Sequence, residues 1–592
     1  VVGREFDLPL MAMLADDLTD DMLLDVLEEG LDARVIEELP AAVGRYQFTH
    51  ALIQETLSDE LSLPRRVRLH ARIANALEEL RSHELDAHAA ALAHHYAQAE
   101  TVHGVEKLVR YSIMAGDKAL SNYAYEEALS HFQRVLATKD ELMIDEEVAS
   151  ILPSMAWAHA ALSQDSEAVS SIIRAFEYYE EIGDVARAVA VVENAHSVWL
   201  VRGLSGVLSR AVLLAPPDHP QSTGRLLSTY GFSLGATANE LEPAQEMLQK
   251  AIDLARQDDD TALEMRALAI WGHVCGLHLR WGESRDRCLQ ALELADQVDE
   301  SNAELRALRW TVNSLSALGQ PDDTLVHSET SLGLSERLRD NYWRLQSLNG
   351  IARLSYAKGD FEQVRKVTER VLTLDPQDQA GLAVLMMLEY ETGNFSAGEH
   401  YLNRLLGLAP RLDGFSNPVG IALIARIVGE VEFLQHFDGP SRTPTGTSDF
   451  PPAFELVAVY IRAWRAVQLG DAEMAQQTYA TLARQSGTMM VGPVGTAFSI
   501  DRLLGLLAFT IGNLKESQTH FDEALEFCRN AGYVVELAWA LCDYADMRLE
   551  RDGDGNTTKA TNLLDESLQI SSDLGMRPLM ERVLSRREIL KA

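Results

Sequence analysis

The sequence predicts an all-α superhelix of stacked helix pairs, preceded by a small unit that contains a β-hairpin. Three observations carry this. The chain has 592 residues, more than one hydrophobic core ordinarily serves, so it holds either several domains or an array whose core grows by addition. From about residue 64 onward, apolar residues recur almost everywhere at helical spacing. The turn dipeptides Gly359-Asp360, Gly393-Asn394, Gly470-Asp471 and Gly512-Asn513 each separate a pair of amphipathic stretches.

Residues 1–63 read differently from the rest. Leu10 to Leu14 and Met22 to Leu27 have helical apolar spacing, and Gly30 stands where a C-cap is expected. Arg34 to Leu39 and Arg45 to Thr49 read as two short strands around a Pro40-to-Gly44 turn, and a helix follows from about Ala51 to Leu61. Two helices, a hairpin and a helix make a partial winged-helix domain over residues 1–63. Pro64 suits the opening of the next helix.

Beyond it the same offsets recur around each turn. Gly505 precedes Gly512, and Phe521 and Ala524 follow it. Gly116, Ala128, Phe132 and Val135 repeat that spacing, and Ala463, Ala475, Tyr479 and Leu482 flank Gly470. A small residue lets two helices approach, and a large one fills the gap toward the next pair. A single pair cannot bury its apolar face alone, so pairs stack. This is the tetratricopeptide pattern, with a period of about 34 residues in places. In the middle, Ala251, Ala291, Ser331 and Val371 are equivalent at steps of 40. The fold class is therefore a tetratricopeptide-type α-solenoid of roughly ten to twelve helix pairs. The expected divisions are repeats over 64–212, 213–436 and 453–592. Pro216, Pro217 and Pro220 mark a break, and a Pro-, Gly-, Ser- and Thr-rich loop lies at 437–452.

Specific strings carry a resemblance. Val2-Gly3-Arg4-Glu5-Phe6, Tyr46-Gln47-Phe48-Thr49-His50-Ala51-Leu52-Ile53-Gln54-Glu55, Arg66-Val67-Arg68-Leu69-His70, Ala93-His94-His95-Tyr96 and Tyr123-Ala124-Tyr125-Glu126-Glu127-Ala128 occur in series. Together they resemble the C-terminal half of bacterial signal-transduction ATPases with numerous domains. In that group an Orc1-like or MalT-like AAA+ ATPase module leads into a winged helix and a tetratricopeptide sensor. Some members carry a class III nucleotide cyclase domain, others a LuxR-type regulator. The resemblance is specific for residues 1 to about 140 and generic afterwards. It implies a regulatory module, with ATP or ADP and Mg bound only by an ATPase module upstream of Val1. The start, Val1-Val2-Gly3-Arg4, fits that expectation of a missing N-terminal segment. The resemblance also implies that His50, which ends the second strand, contacts a nucleotide phosphate; the Asp that often follows such a His is Ala51 here. The alternative role for His50 is structural, at the start of the helix.

Charge and composition narrow the function. Lys and Arg total 52 against 89 Asp and Glu, a formal charge of -37, which disfavours nucleic acid and anionic membranes as partners of the bulk surface. Cys275, Cys288, Cys528 and Cys542 form no C-x-x-C pair and read as reduced, buried thiols of a cytoplasmic protein. No run of about 18 apolar residues is present. No Walker A string and no G-x-S-x-G string occurs, so no catalytic residue is assigned to this chain. His83, His88, His94, His95 and His103 lack the i, i+4 spacing of a helical zinc pair, and no metal site is assigned. Asp552, Asp554 and Asn556 imitate the start of a calcium loop, but Thr557 and Leu563 stand where Gly and Glu are required. Arg65, Arg66, Arg68 and Arg72 form a basic run that reads as surface or interdomain contact rather than DNA contact. The basic residues of the helix Met580 to Leu590 read as a solvated cap. Trp271, Trp310, Trp343, Trp464 and Trp539 read mostly as packing between pairs, with one or two available to a ligand. The expected partner is a protein, peptide or small-molecule ligand held in the concave groove of the array.

Overall fold

The computed structural model describes the chain except residues 16–17, 40–42, 123, 140–143, 163, 194–197, 216–219, 238, 339, 409–417, 430–450, 492–496, 551–553 and 592. The expected turn at 40–44, the loop at 437–452 and the calcium-loop imitation at 552–556 therefore lie largely outside the described residues. The described residues contain thirty α-helices and two short sheets. The chain divides into two compact units, Val1–Leu214 and Ala215–Ala592.

The first unit opens with strand β1 (Glu5–Asp7), which the sequence pattern does not announce. It pairs antiparallel with β3 (Arg45–Phe48), whose other edge pairs with β2 (Ile36–Glu38), so β3 is central. A three-residue strand has no legible alternation; what holds β1 is a ladder partner forty residues away and the stacking of Phe6 on Tyr46 at 5.9 Å. Leu23 and Leu27 of helix Asp20–Asp32 bury against Ile36 and Tyr46 of the sheet. Gly30 is not a C-cap but lies inside that helix. A Cβ there would stand 3.1 Å from the Ile36 side chain, so the glycine makes room for the strand. Helix Ala51–Asp59 follows, and helix Leu63–Leu80 opens with Pro64 in its first turn.

Among the described residues twelve helix pairs then succeed one another, four in the first unit and eight in the second, with helices Glu100–His103, Pro418–Val428 and Arg577–Lys591 outside these pairs. The repeat offsets have a direct steric cause. A Cβ on Gly116 would lie 2.5 Å from the Phe132 ring, and one on Gly505 would lie 3.0 Å from Phe521. The glycine of one helix is the socket for the aromatic ring of the next. The middle register is also real, because Ala251, Ala291, Ser331 and Val371 are all buried on second helices of pairs. The turns work as their chemistry requires. Gly359 has φ +79, a left-handed conformation that glycine adopts without Cβ strain. Asp360 then caps the next helix by accepting from the Gln363 amide at 3.0 Å, as Asp471 does from Met474.

Two departures from an all-helical array occur in the second unit. Met489–Val491 (β4) and Ala497–Ser499 (β5) form a two-stranded antiparallel sheet between helix pairs. The apolar stretch there is cut by Gly492 and Pro493, too short for a helical face. The second unit also winds back on itself, so early turns meet late helices edge to edge. Cβ atoms on Gly319, Gly359 and Gly393 would touch Phe527, Leu574 and Arg577 at 3.0, 2.7 and 3.2 Å. The Tyr533 hydroxyl donates to the Ser316 carbonyl at 2.9 Å. The four cysteines are free and buried.

Candidate functional site

The winding of the second unit collects charge that helical periodicity alone would not place inside. Trp539 Nε1 donates to both carboxylate oxygens of Glu391, at 2.9 and 3.0 Å, and Tyr356 donates to the same group at 3.3 Å. Arg502 pairs with Glu536 at 2.8 Å and with Asp543 at 3.4 Å. Asp543 is also met by Arg426 and, at 3.4 Å, by Arg582. Glu391, Arg426, Arg502, Glu536 and Trp539 border a small cavity. Burial pushes the Glu391 carboxyl up to about 7 against the opposing pull of Trp539 and Arg502. Burial does the same to Glu536, also to about 7, against Arg502. At Asp543 burial acts upward too, but three arginines overcome it and hold the group below the usual carboxylate range.

A small polar pocket lies between helices Ser301–Ala317, Pro321–Arg337 and Asn341–Ala357. Arg309, Asn313, Ser331, Gln346, Ser347 and Arg353 line it. A Cβ on Gly350 would meet only the Val312 side chain, at 3.6 Å. Arg353 donates to Asn313 at 3.3 Å, and Ser331 bonds Ser347 at 2.7 Å. Arg309 Nη1 is buried with no hydrogen-bond partner among the described residues. Burial, and then the neighbouring Arg309, lower the Arg353 guanidinium to about 10. The cavity thus offers cationic and neutral donors inside a chain of strongly negative net charge.

The first unit holds two polar clusters near the start of the array. Glu78 accepts from the hydroxyls of Tyr96 and Tyr111 and from Lys107 Nζ, at 2.5, 2.6 and 2.5 Å. Burial acts to raise its carboxyl, but these bonds and the Lys107 charge draw it down to about 2. In the same helix pair, His70 joins His94 and His95, which the spacing of the five downstream histidines could not reveal because His70 comes from the preceding helix. His83 is exposed, and the His103 ring packs on Tyr96 at 5.4 Å.

The remaining expected residues fall as follows. His50 is the exposed N-cap residue of helix Ala51–Asp59, and its side chain makes no capping bond. Arg65 and Arg68 are exposed, Arg66 pairs with Asp59 at 3.6 Å, and Arg72 donates to the Leu14 carbonyl at 2.7 Å. The C-terminal basic residues are not a solvated cap. Arg582 and Arg586 reach Asp546 at 2.9 and 2.8 Å, and Arg587 reaches Asp565 at 3.0 Å, because acidic residues of the preceding pair face that helix. Trp271, Trp310, Trp343 and Trp464 are buried between helices, and Trp539 borders the first cavity. Glu391, Glu536, Asp543 and Arg502 are not among the residues that sequence reasoning singles out. The available signal was a charge at a helix position otherwise filled by apolar residues, as in Ala540-Leu541-Cys542-Asp543.

The chain is thus a tetratricopeptide-type helical-repeat protein by fold. No protein-family model matches it, and no curated protein matches it. Among solved structures it is similar to the hetero-tetramer Cut9-Hcn1 of APC/C, at 14% identity and TM-score 0.46, over 90% of this chain and 94% of that one. It is also similar to a Rap protein complexed with competence and sporulation factor, at 14% identity and TM-score 0.35, over 68% of this chain and 95% of that one. A human IFIT1 dimer with m7Gppp-AAAA matches at 12% identity and TM-score 0.34, over 71% of this chain and 90% of that one.

Proposed function

We propose that this chain is a ligand- or protein-binding regulatory module, the sensor arm of a cytoplasmic signalling ATPase whose nucleotide-binding module lies upstream of Val1. The observation that carries the binding role is the pocket at Arg309, where a buried guanidinium nitrogen with no partner among the described residues stands among other donors. A buried donor left unmade costs about 1–3 kcal/mol, and a ligand acceptor would offset that cost. The ligand class this favours is a small anion, a carboxylate or phosphate, whose entry requires the lining side chains to move apart. A panel of such metabolites, screened by thermal shift against the wild type and Arg309→Met, tests it. The expected result is at least one anion that raises the melting temperature of the wild type alone. An absence of any shift, or equal shifts in both proteins, would refute the binding site.

The ATPase context rests on the resemblance of residues 1 to about 140 and on a three-stranded sheet with flanking helices that leads directly into the array. This unit is read as the winged-helix remnant, and His50, at the junction of β3 and the next helix, as the contact to an ADP phosphate. ATP or ADP and Mg belong to the upstream module. In the complete protein His50→Ala should weaken ADP binding; unchanged affinity would remove His50 from the site. An upstream reading frame that encodes a P-loop supports the context, and a start signal directly before the codon for Val1 sinks it. A cyclase domain further upstream would make the chain the regulatory tail of a class III adenylate or guanylate cyclase. A DNA-binding output would make it the arm of an ATP-dependent transcription regulator. No helix among the described residues is long and apolar enough to cross a membrane.

A further inference from the structure

Three imidazoles from two consecutive helices converge in the first unit. His70 lies on helix Leu63–Leu80, and His94 and His95 lie on helix Leu85–Gln98. Adjacent residues on a helix point about 100° apart, so His94 and His95 diverge, and His70 closes the triangle from across the pair. The ring centroids are 5.7, 5.1 and 5.3 Å apart, and His70 Nδ1 lies 2.8 Å from His95 Nδ1. One nitrogen of each ring lies within 4.8 Å of the other two. His70 and His95 are buried and His94 is exposed. Burial lowers all three, His70 to about 4 and His95 to about 3, and each of these two is lowered further by its neighbouring rings.

We propose that His70, His94 and His95 form a site for a divalent transition metal of the zinc class, with a fourth position open beside the exposed His94. Three atoms within 4.8 Å of one another lie within about 2.8 Å of a common point, against about 2.0–2.1 Å for a Zn–N bond, so each ring moves by less than about 1 Å to close. Three imidazoles plus an open position is the donor set of non-structural zinc sites. Magnesium and calcium, which take oxygen ligands, do not fit it. Arg66 beside His70 and Arg134 beside His94 oppose the binding of a cation. The ion would join the two helices of the first pair well away from their connecting turn.

The test titrates Zn2+ into the chelator-treated full chain by calorimetry, with Co2+ absorbance as the spectroscopic signature. One saturable Zn2+ per chain and tetrahedral Co2+ bands are expected. His94→Ala and His94→Gln change an exposed residue and should each lower the affinity by at least ~10-fold. His520→Gln is the control, because Asp501, His520 and Glu523 form the other group of ligand atoms among the described residues, and it should leave the affinity unchanged. The site is overturned if the wild type binds no Zn2+, if the His94 variants bind as the wild type does, or if only His520→Gln abolishes binding.

Discussion

The two units are built from the same helix pair but place their charges in opposite ways. In the first unit, Glu78 sits near the surface, with two tyrosine hydroxyls and one ammonium around it, and all partners come from the first two pairs. In the second, Glu391, Glu536 and Asp543 are buried and draw partners from helices as far apart as Arg426 and Arg582. Where pairs touch only their neighbours, polar contacts stay local and half-solvated. Where the array winds back on itself, the contact between its turns is sealed from water, and a charge there must be matched by others distant in sequence. The second unit should therefore unfold more cooperatively, and single changes at its charged centre should reach further.

The sharpest way to break the comparison is Asp543→Ala. It strips Arg426, Arg502 and Arg582 of a shared carboxylate. Removing one partner of a buried charge group costs about 3–5 kcal/mol. Hydrogen exchange on the full chain should show protection lost across the described helices from Pro418 to Lys591 and kept in the first unit. Loss confined to the helix Val534–Leu549 would mean that the turns are not coupled.

Gly116→Ala and Gly505→Ala come next and compare the same socket in both units. At Gly116 the new methyl would lie 2.5 Å from the Phe132 ring, and crowding of that kind costs about 1–3 kcal/mol. At Gly505 the gap to Phe521 is 3.0 Å, and the gain of about 1 kcal/mol in helix propensity offsets most of the crowding. Urea unfolding should rank Gly116→Ala as clearly the worse. Equal losses would show that ring displacement, not the initial gap, sets the cost.

The smallest signal is a pH slope of opposite sign in the two units. Glu78 is held at about 2, below its unfolded value of 4.5, so its contribution is present above pH 4.5 and is lost as pH falls toward 2. Glu391 is raised to about 7, so the native state holds the extra proton between pH 4.5 and 7, and stability from this group falls as pH rises through that window. Glu391→Gln keeps an acceptor for Trp539 and Tyr356 and should flatten the slope of the second unit between those values. Exchange rates read by segment against pH would detect it; an unchanged slope would assign the titration to Glu536 instead.

Much of this architecture is legible from local pattern. Gly359, Gly470 and Gly512 mark turns because a left-handed residue after an amphipathic helix leaves few alternatives. Gly116 and Phe132 declare a close helix pair by their fixed offset. Strand β1 is not legible, since Glu5–Asp7 is too short to carry a period, and neither is β4 with β5, whose pairing depends on the packing around them. Gly30 misleads for a related reason. A glycine near a helix end signals a cap by statistics, yet here it answers to the bulk of Ile36 on a strand.

By itself the sequence determined the helical period, the pairing of helices and the sockets between neighbours, because each depends on residues within about 40 positions, a spacing typical of one repeat. Tertiary structure alone decided that His70 meets His94 and His95, that Trp539 meets Glu391, and that three arginines converge on Asp543. The helix–helix meeting of the histidines depends on the rotation of one helix against the next. The others depend on the pitch of the winding, which sums small rotations over many pairs. No single repeat encodes that sum, and so the buried charges look misplaced until the turns are stacked.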